Sequence, residues 1–307
     1  MKQSKAIGAT DKRHFFKTGF RGAQGTFELS DEQLKDLQNA LFLMFLDLKE
    51  VFEREGIFYT LSGGSVLGAI RHQGFIPWDD DMDINMPRKD FEHLKKVFDR
   101  CLGDKYVLCA PEIGDGYGMA HVQIKKKGTV YRAFNELNAK HTGIFIDIFV
   151  LENTYDNSLV RKLHGYLCLA AGYALTCKKT EVDWKKLKPY LQENEALEKA
   201  YRKKMIVGKL FKWISLDRLS RRVQKVYSAC RDENTEFVCI PSGRKHYFGE
   251  MYRRSDMNES KEAVFREEKV RIPKGTTTYM KILYGDTYMQ IPKESEREIH
   301  SAIELKL

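Results

Sequence analysis

The stretch Trp78-Asp79-Asp80-Asp81-Met82-Asp83-Ile84 decides how the rest of the chain is read. Consecutive carboxylates repel one another, and a half-buried strand has no structural use for them. Met82, Ile84 and Met86 alternate with Asp81, Asp83 and Asn85, which is strand periodicity. In that geometry Asp79, Asp81 and Asp83 share one face, while Met82 and Ile84 turn to the core. A row of this kind is stable when a divalent cation neutralises it. Two or three carboxylates suit Mg2+ or Mn2+, with water and substrate phosphates in the remaining positions. The plainer alternative is an acidic loop at the start of a strand.

Upstream, Ser62-Gly63-Gly64-Ser65 lies between a β-prone run, 57–61, and a short helical segment, 66–71. Glycines at a helix start let backbone N–H groups approach a ligand, and the helix N-terminus favours a phosphate. Gly63, Gly64 and Ser65 are therefore candidate phosphate-binding residues, although Gly-Gly-Ser is also an ordinary turn. Downstream, Asp147 is a lone acid in the apolar run 143–150. A buried unpaired carboxylate is costly, so Asp147 calls for a metal, or else for a backbone or arginine partner.

Working outward, Ser30 and Gln33 form a capping box ahead of Leu34, Leu37, Leu41, Phe45 and Leu48, which predicts a helix ending at Gly56. A loop over 75–80 and a helix over 90–100 flank the acidic strand. Further strands are expected at 106–110, 120–125 and 144–151. Residues 157–231 read as helical, 237–272 as strands and turns, and 276–283 and 294–305 as helices. The sum is an α/β or α+β mixed-sheet core carrying a basic helical insertion. The expected divisions are a loose arm over 1–27, a catalytic core over 28–152, the basic helices over 153–235, and a segment over 236–307 that completes the catalytic domain.

The chain has 307 residues, is 42% hydrophobic and 31% charged, and contains seven prolines. That composition excludes a disordered, collagen-like or coiled-coil protein. The run 163–177 carries no Lys, Arg, Asp or Glu, but it is shorter than the ~20 residues of a bilayer span. The N-terminus lacks an apolar signal-peptide core. Six cysteines without a C-x-x-C pair suit a reducing compartment, and the expected location is cytoplasmic. The net charge of +9 is regional: 161–231 holds 18 Lys and Arg against 6 Asp and Glu. This is a surface for anions or a solvated helical face; without a nucleic-acid signature, no nucleic-acid partner is expected. Met205, Ile206, Leu210, Trp213 and Ile214 fall near one helical face beside Lys203, Lys204, Lys209 and Lys212. That face either docks on an anionic membrane, peripherally, or packs on the core.

The string Leu61 to Ile84, LSGGSVLGAIRHQGFIPWDDDMDI, closely resembles the LicD family of the nucleotidyltransferase superfamily. So does Lys281 to Pro292, KILYGDTYMQIP, followed by Arg297 and His300. The resemblance implies metal-dependent transfer of a phospho-alcohol, foremost phosphocholine, from a CDP-activated donor to a glycan hydroxyl of lipopolysaccharide, teichoic acid or capsule, with loss of CMP. Fukutin and fukutin-related protein are the ribitol phosphate relatives. On that reading Asp81 and Asp83 bind metal, and Asp79 is a further ligand or acceptor. Asp147 holds a metal near the acceptor hydroxyl or takes its proton. Arg71 and His72 extend the phosphate cradle or are surface residues. Lys125 and Lys127 contact phosphate, and Trp78 stacks on a base or on choline or else packs the loop. The Tyr284-Gly285-Asp286 turn borders the site. The rival readings are a glycosyltransferase with an Asp-x-Asp metal site and a non-catalytic nucleotide- or glycan-binding protein.

Overall fold

The computed structural model describes Phe20 and residues 23–192, 194–297 and 301–307. The capping box forms as expected, and helix α1 runs Asp31–Arg54. It buries Leu37, Leu41, Phe45 and Leu48. Strand β1 (Thr60–Leu61) leads directly into α2 (Gly63–His72). Strand β2 (Asp83–Pro87) and α3 (Arg88–Cys101) follow. Then come β3 (Tyr106–Cys109), β4 (Val122–Lys126), β5 (Val130–Arg132) and β6 (Phe145–Asn153).

The basic region is helical: α4 (Ser158–Leu187), α5 (Glu195–Lys209) and α6 (Leu216–Tyr227). Next are β7 (Phe237–Cys239), the single turns α7 (His246–Gly249) and α8 (Arg254–Met257) around β8 (Met251–Arg253), and the hairpin β9 (Ser260–Phe265) and β10 (Glu268–Pro273). Helix α9 (Thr276–Tyr284) and β11 (Glu304–Lys306) end the chain.

Among the described residues the main sheet has seven strands, with β1-β2-β6-β4-β3 in order and β7 and β8 extending it from β6. Strand β6 runs parallel to β2 and antiparallel to β4. Its alternation sends Ile146, Ile148 and Val150 into the core and leaves Asp147 on the opposite face. Helices lie against a mixed sheet, so the expected mixed α/β architecture is what folds. The main core joins α1, the sheet, and Phe265, Val270, Tyr279, Met280 and Leu283 from the last quarter of the chain.

Three expectations are corrected. Among the described residues only a single 3-10 turn, Glu294–Glu296, forms where a helix over 294–305 was expected. Leu305 and its neighbours pair with the β5 edge instead, so tertiary pairing overrides local helix preference. Residues 79–82 are not strand, so strand alternation does not bring Asp79 and Asp81 to the face of Asp83. The described end of the arm is docked rather than loose. Phe20 stacks on Phe134 at 3.8 Å, and Phe27 exchanges backbone hydrogen bonds with Ala302 at 3.0 Å. Residues 1–19, 21 and 22 of that arm, and His300, lie outside the described residues. Among the described residues no helix is long and apolar enough to cross a membrane.

Helix α2, which carries the glycine pair, is seated at Gly68. A Cβ there would stand 2.3 Å from the Gly74 carbonyl oxygen. Gly68→Ala should therefore lower stability by about 1–3 kcal/mol through overpacking. Chemical denaturation of the two proteins checks it.

Candidate functional site

Asp83 and Asp147 face each other across the parallel ladder of β2 and β6, where they are register partners. Gln123 is the partner of Asp147 on the other side. The loop before β2 curls so that Asp79, Asp80 and Asp81 each place one carboxylate oxygen within 4.8 Å of the others. Gln38 of α1 holds this curl by donating to the Asp79 carbonyl at 2.9 Å and the Ile76 carbonyl at 3.3 Å. Tyr131 donates to Asp80 at 2.7 Å. An all-carboxylate set of this kind, half-buried at a sheet edge, fits a hard divalent cation.

The glycine pair stands against these acids. A Cβ on Gly64 would lie 2.7 Å from Asp79 Oδ2, and one on Gly63 would lie 3.1 Å from Asp83 Oδ2. The missing side chains let the positive N-terminus of α2 meet the carboxylates. Gly63 has φ +46, a backbone conformation that side-chain-bearing residues rarely take. Tyr279 ties this end down. Its hydroxyl accepts from the Gly63 amide at 3.0 Å, shares a hydrogen bond with Ser62 at 2.9 Å, and accepts from Asn85 Nδ2 at 3.2 Å. The Tyr284 hydroxyl lies 3.7 Å from the same Gly63 Cβ position. Burial, with Asp79 and Asp83 nearby, holds that phenol well above its usual pKa, so it is a hydrogen-bond donor. The Tyr-Gly-Asp turn thus does border the acids.

Several expected phosphate contacts have other employment. The Gly63 amide goes to Tyr279, and Ser65 Oγ accepts from the Asp83 amide at 2.9 Å. Lys125 is buried, with its ammonium on Glu136 and the His141 carbonyl. Lys127 leaves the end of β4 and donates to the Gly103 carbonyl at 2.5 Å. Both lysines are thus engaged with partners of their own fold. Arg71 lies close enough to Asp79 to feel its charge, but its guanidinium donates to the Tyr288 and Gln290 carbonyls at 2.9 and 3.1 Å. His72 accepts from Arg71 and meets Trp78 edge-on. Arg297 lies over Trp78 at 4.3 Å, so a guanidinium already covers the indole face proposed for a base or choline.

Other residues at the site were not foreseen. His121 Nε2 stands 3.6 Å from Asp147 Oδ1. Burial pushes this imidazole down to about 4, so it is neutral near pH 7 and the contact is polar rather than ionic. Gln38, Tyr131, Tyr279 and Arg244, whose guanidinium lies 5.7 Å from the Tyr284 ring centre, complete the surroundings. No local pattern marks them. Tyr284 alone sat within a quoted motif.

A family model for the nucleotidyltransferase domain of LicD, FKTN and FKRP proteins matches residues 56–167. The lipopolysaccharide cholinephosphotransferase LicD of Haemophilus influenzae is 25% identical over 256 residues, which is 81% of this chain and 88% of that protein. Human ribitol 5-phosphate transferase FKRP is 50% identical over 47 residues, 15% of this chain and 10% of that protein. Yeast mannosyltransferase regulator 4 is 26% identical over 162 residues, half of this chain and 12% of that protein.

Two substitutions separate structural from chemical roles. Lys125→Met should cost about 3–5 kcal/mol by stranding buried Glu136, and the double change with Glu136→Leu should recover most of it. A phosphate-binding lysine would instead lose activity at unchanged stability, so thermal unfolding and turnover of both variants decide. Gly64→Ala should push the Asp79 carboxylate aside. A displacement near 1 Å costs on the order of 10²-fold in rate while the fold persists. Turnover beside an unchanged circular dichroism spectrum checks it.

Proposed function

From a chain that carries a LicD-family nucleotidyltransferase domain, we propose a phosphotransferase acting on a CDP-activated alcohol, foremost CDP-choline. The acceptor is a hydroxyl of a cell-surface glycan of the lipopolysaccharide, teichoic acid or capsule kind, and the leaving group is CMP. The observation that carries this reading is the acidic cluster of Asp79, Asp80 and Asp81 at the N-terminus of α2, with Asp83 and its register partner Asp147 on the adjoining strands β2 and β6. Choline is favoured over ribitol because the match to the cholinephosphotransferase spans most of both proteins, whereas that to the ribitol phosphate transferase covers 10% of the latter.

Asp81 and Asp79, with Asp80 in the same set, would hold Mg2+ or Mn2+, and Asp83 and Asp147 would border it as further ligands. The bound cation would offset pyrophosphate charge and favour in-line displacement. The acceptor oxygen forms the new bond to the phosphorus that bears the alcohol, the bridging bond to CMP breaks, and the hydroxyl proton leaves. Asp147 would take that proton or hold a metal near the acceptor hydroxyl, with neutral His121 beside it. Tyr284 supplies a protonated hydroxyl at the donor side. Ser65, Tyr279 and Gln38 act by positioning these groups. The similarity to a protein named as a regulator favours one second reading, a catalytically silent binder on the same scaffold.

A donor screen with CDP-choline, CDP-ethanolamine, CDP-ribitol, CDP-glycerol and UDP- and GDP-sugars, each with Mg2+ or Mn2+ and a glycan acceptor, separates the readings. CMP release that a chelator stops is expected, with CDP-choline the best donor. A thermal shift without CMP release from any donor makes the protein a binder, and UDP or GDP release from nucleotide sugars makes it a glycosyltransferase. Asp81→Asn and Asp83→Asn should each lower the rate by on the order of 10²–10³ or more. Asp147→Asn should abolish turnover while donor binding persists. If it instead lowers the melting temperature and spares activity per folded molecule, Asp147 is structural.

A further inference from the structure

Helix α4 is 30 residues long, or about 45 Å, and only one side of its N-terminal half is packed. His164, Cys168 and Leu175 turn inward. The other side exposes Leu159, Leu163, Tyr166, Leu167 and Tyr173, with Leu159 at 75%. These positions recur every three or four residues or a multiple of that spacing, so they form one apolar stripe on a helix whose core face lies elsewhere. No Asp or Glu occurs between Asn157 and Thr180, while Arg161 and Lys162 stand near the N-terminal end of the stripe.

The stripe reaches the crossing with α5. A Cβ on Gly208 would lie 2.2 Å from the Cys177 carbonyl oxygen, one helical turn past Tyr173. There the turn after α5 takes over, with Leu210 76% and Trp213 82% exposed. Lys203, Lys209 and Lys212 are exposed around them, and the Lys212 ammonium caps the Trp213 ring at 4.4 Å. The sequence expectation of a single amphipathic face over 205–214 is thereby revised. Helix α5 ends at Lys209, Ile214 packs against the α4–α6 core, and the larger apolar surface belongs to α4.

We propose that this surface docks on an anionic lipid bilayer. The argument is charge complementarity. Part of the basic excess is neutralised inside the fold, where Lys178 pairs with Glu181 and Lys179 with Asp183. Lys203, Lys209 and Lys212, beside Leu210 and Trp213, stand exposed instead, and the α4 stripe carries no acid. A two-fold contact would set the same basic patch against itself. Anionic head groups meet the cations, while the Leu side chains enter the acyl boundary and Tyr166, Tyr173 and Trp213 take the interface, where such rings are enriched.

The test uses the full chain and vesicles, and it needs no turnover, so it stands or falls apart from the proposed activity. Flotation with phosphatidylcholine vesicles is compared with flotation after about a quarter of the lipid is replaced by phosphatidylglycerol. The anionic vesicles should bind about tenfold more protein, and about 0.5 M salt should release it. Trp213 emission should shift to the blue on binding, and Trp213→Phe should remove the shift. The triple change Leu159→Gln, Leu163→Gln, Leu167→Gln and the triple change Lys203→Gln, Lys209→Gln, Lys212→Gln should each weaken binding several-fold at unchanged melting temperature. Binding to neither vesicle, or equal binding to both, overturns the proposal. A dimer in solution that the leucine variant converts to monomer assigns the stripe to a second copy instead.

Discussion

Negative charge is crowded where β2, β6 and the start of α2 converge, and the surrounding structure is arranged to bear that crowding. Five aspartates stand at this edge, half-buried, with the apolar side chains of Met82, Ile84, Ile146 and Ile148 directly beneath them. Like charges at such spacing repel strongly in a medium less polar than water. The fold answers with a helix N-terminus, two glycines that admit the carboxylates, and the Tyr131 hydroxyl donated to Asp80. Ser65 and Tyr279 fix the backbone around them, through the Asp83 and Gly63 amides. The result is a preorganised oxygen cluster of the kind that suits a hard cation.

Much of the framework was legible because it is written in local patterns. The Ser30–Gln33 box, the Leu37-Leu41-Phe45-Leu48 spacing and the alternation of Met82, Ile84 and Met86 each act within a few residues. Asp147 stood out because nothing else in its run is charged. The aspartates before β2 were recognised, but the means of gathering them was not. Strand alternation was expected, and a loop braced by Gln38 does the work. The neighbours of Ser65 and Lys125 were not legible for a related reason. A serine or lysine in a motif looks the same whether it faces a ligand or a neighbouring backbone, and only the packed structure shows Ser65 on the Asp83 amide and Lys125 on Glu136. The C-terminal helix failed because Leu305 answers to an unpaired strand edge 173 positions earlier or more, a partner invisible to local propensity.

Charge counting has a similar limit in the helical region. A net excess says how many cations exist, not where they point. In α4 the consecutive lysines 178 and 179 are buried and paired, while the lysines around the end of α5 stand in solvent. Only the second group lends the surface its electrostatic character.

The Tyr279 hydroxyl reaches Ser62 and Gly63 across 217 and 216 positions of chain, and Arg71 grips the carbonyls of Tyr288 and Gln290 across 217 and 219. Contacts of that sequence separation close late, because the entropy of a long loop must be overcome before they form. During synthesis the acidic loop and the glycine turn emerge long before α9 exists. A nascent chain therefore carries its aspartates through the synthesis of all the intervening segments without the tyrosine that fixes the turn beside them. Competence arrives with α9, so a ribosome that stalls short of it releases a product with every acidic residue in place and no finished site.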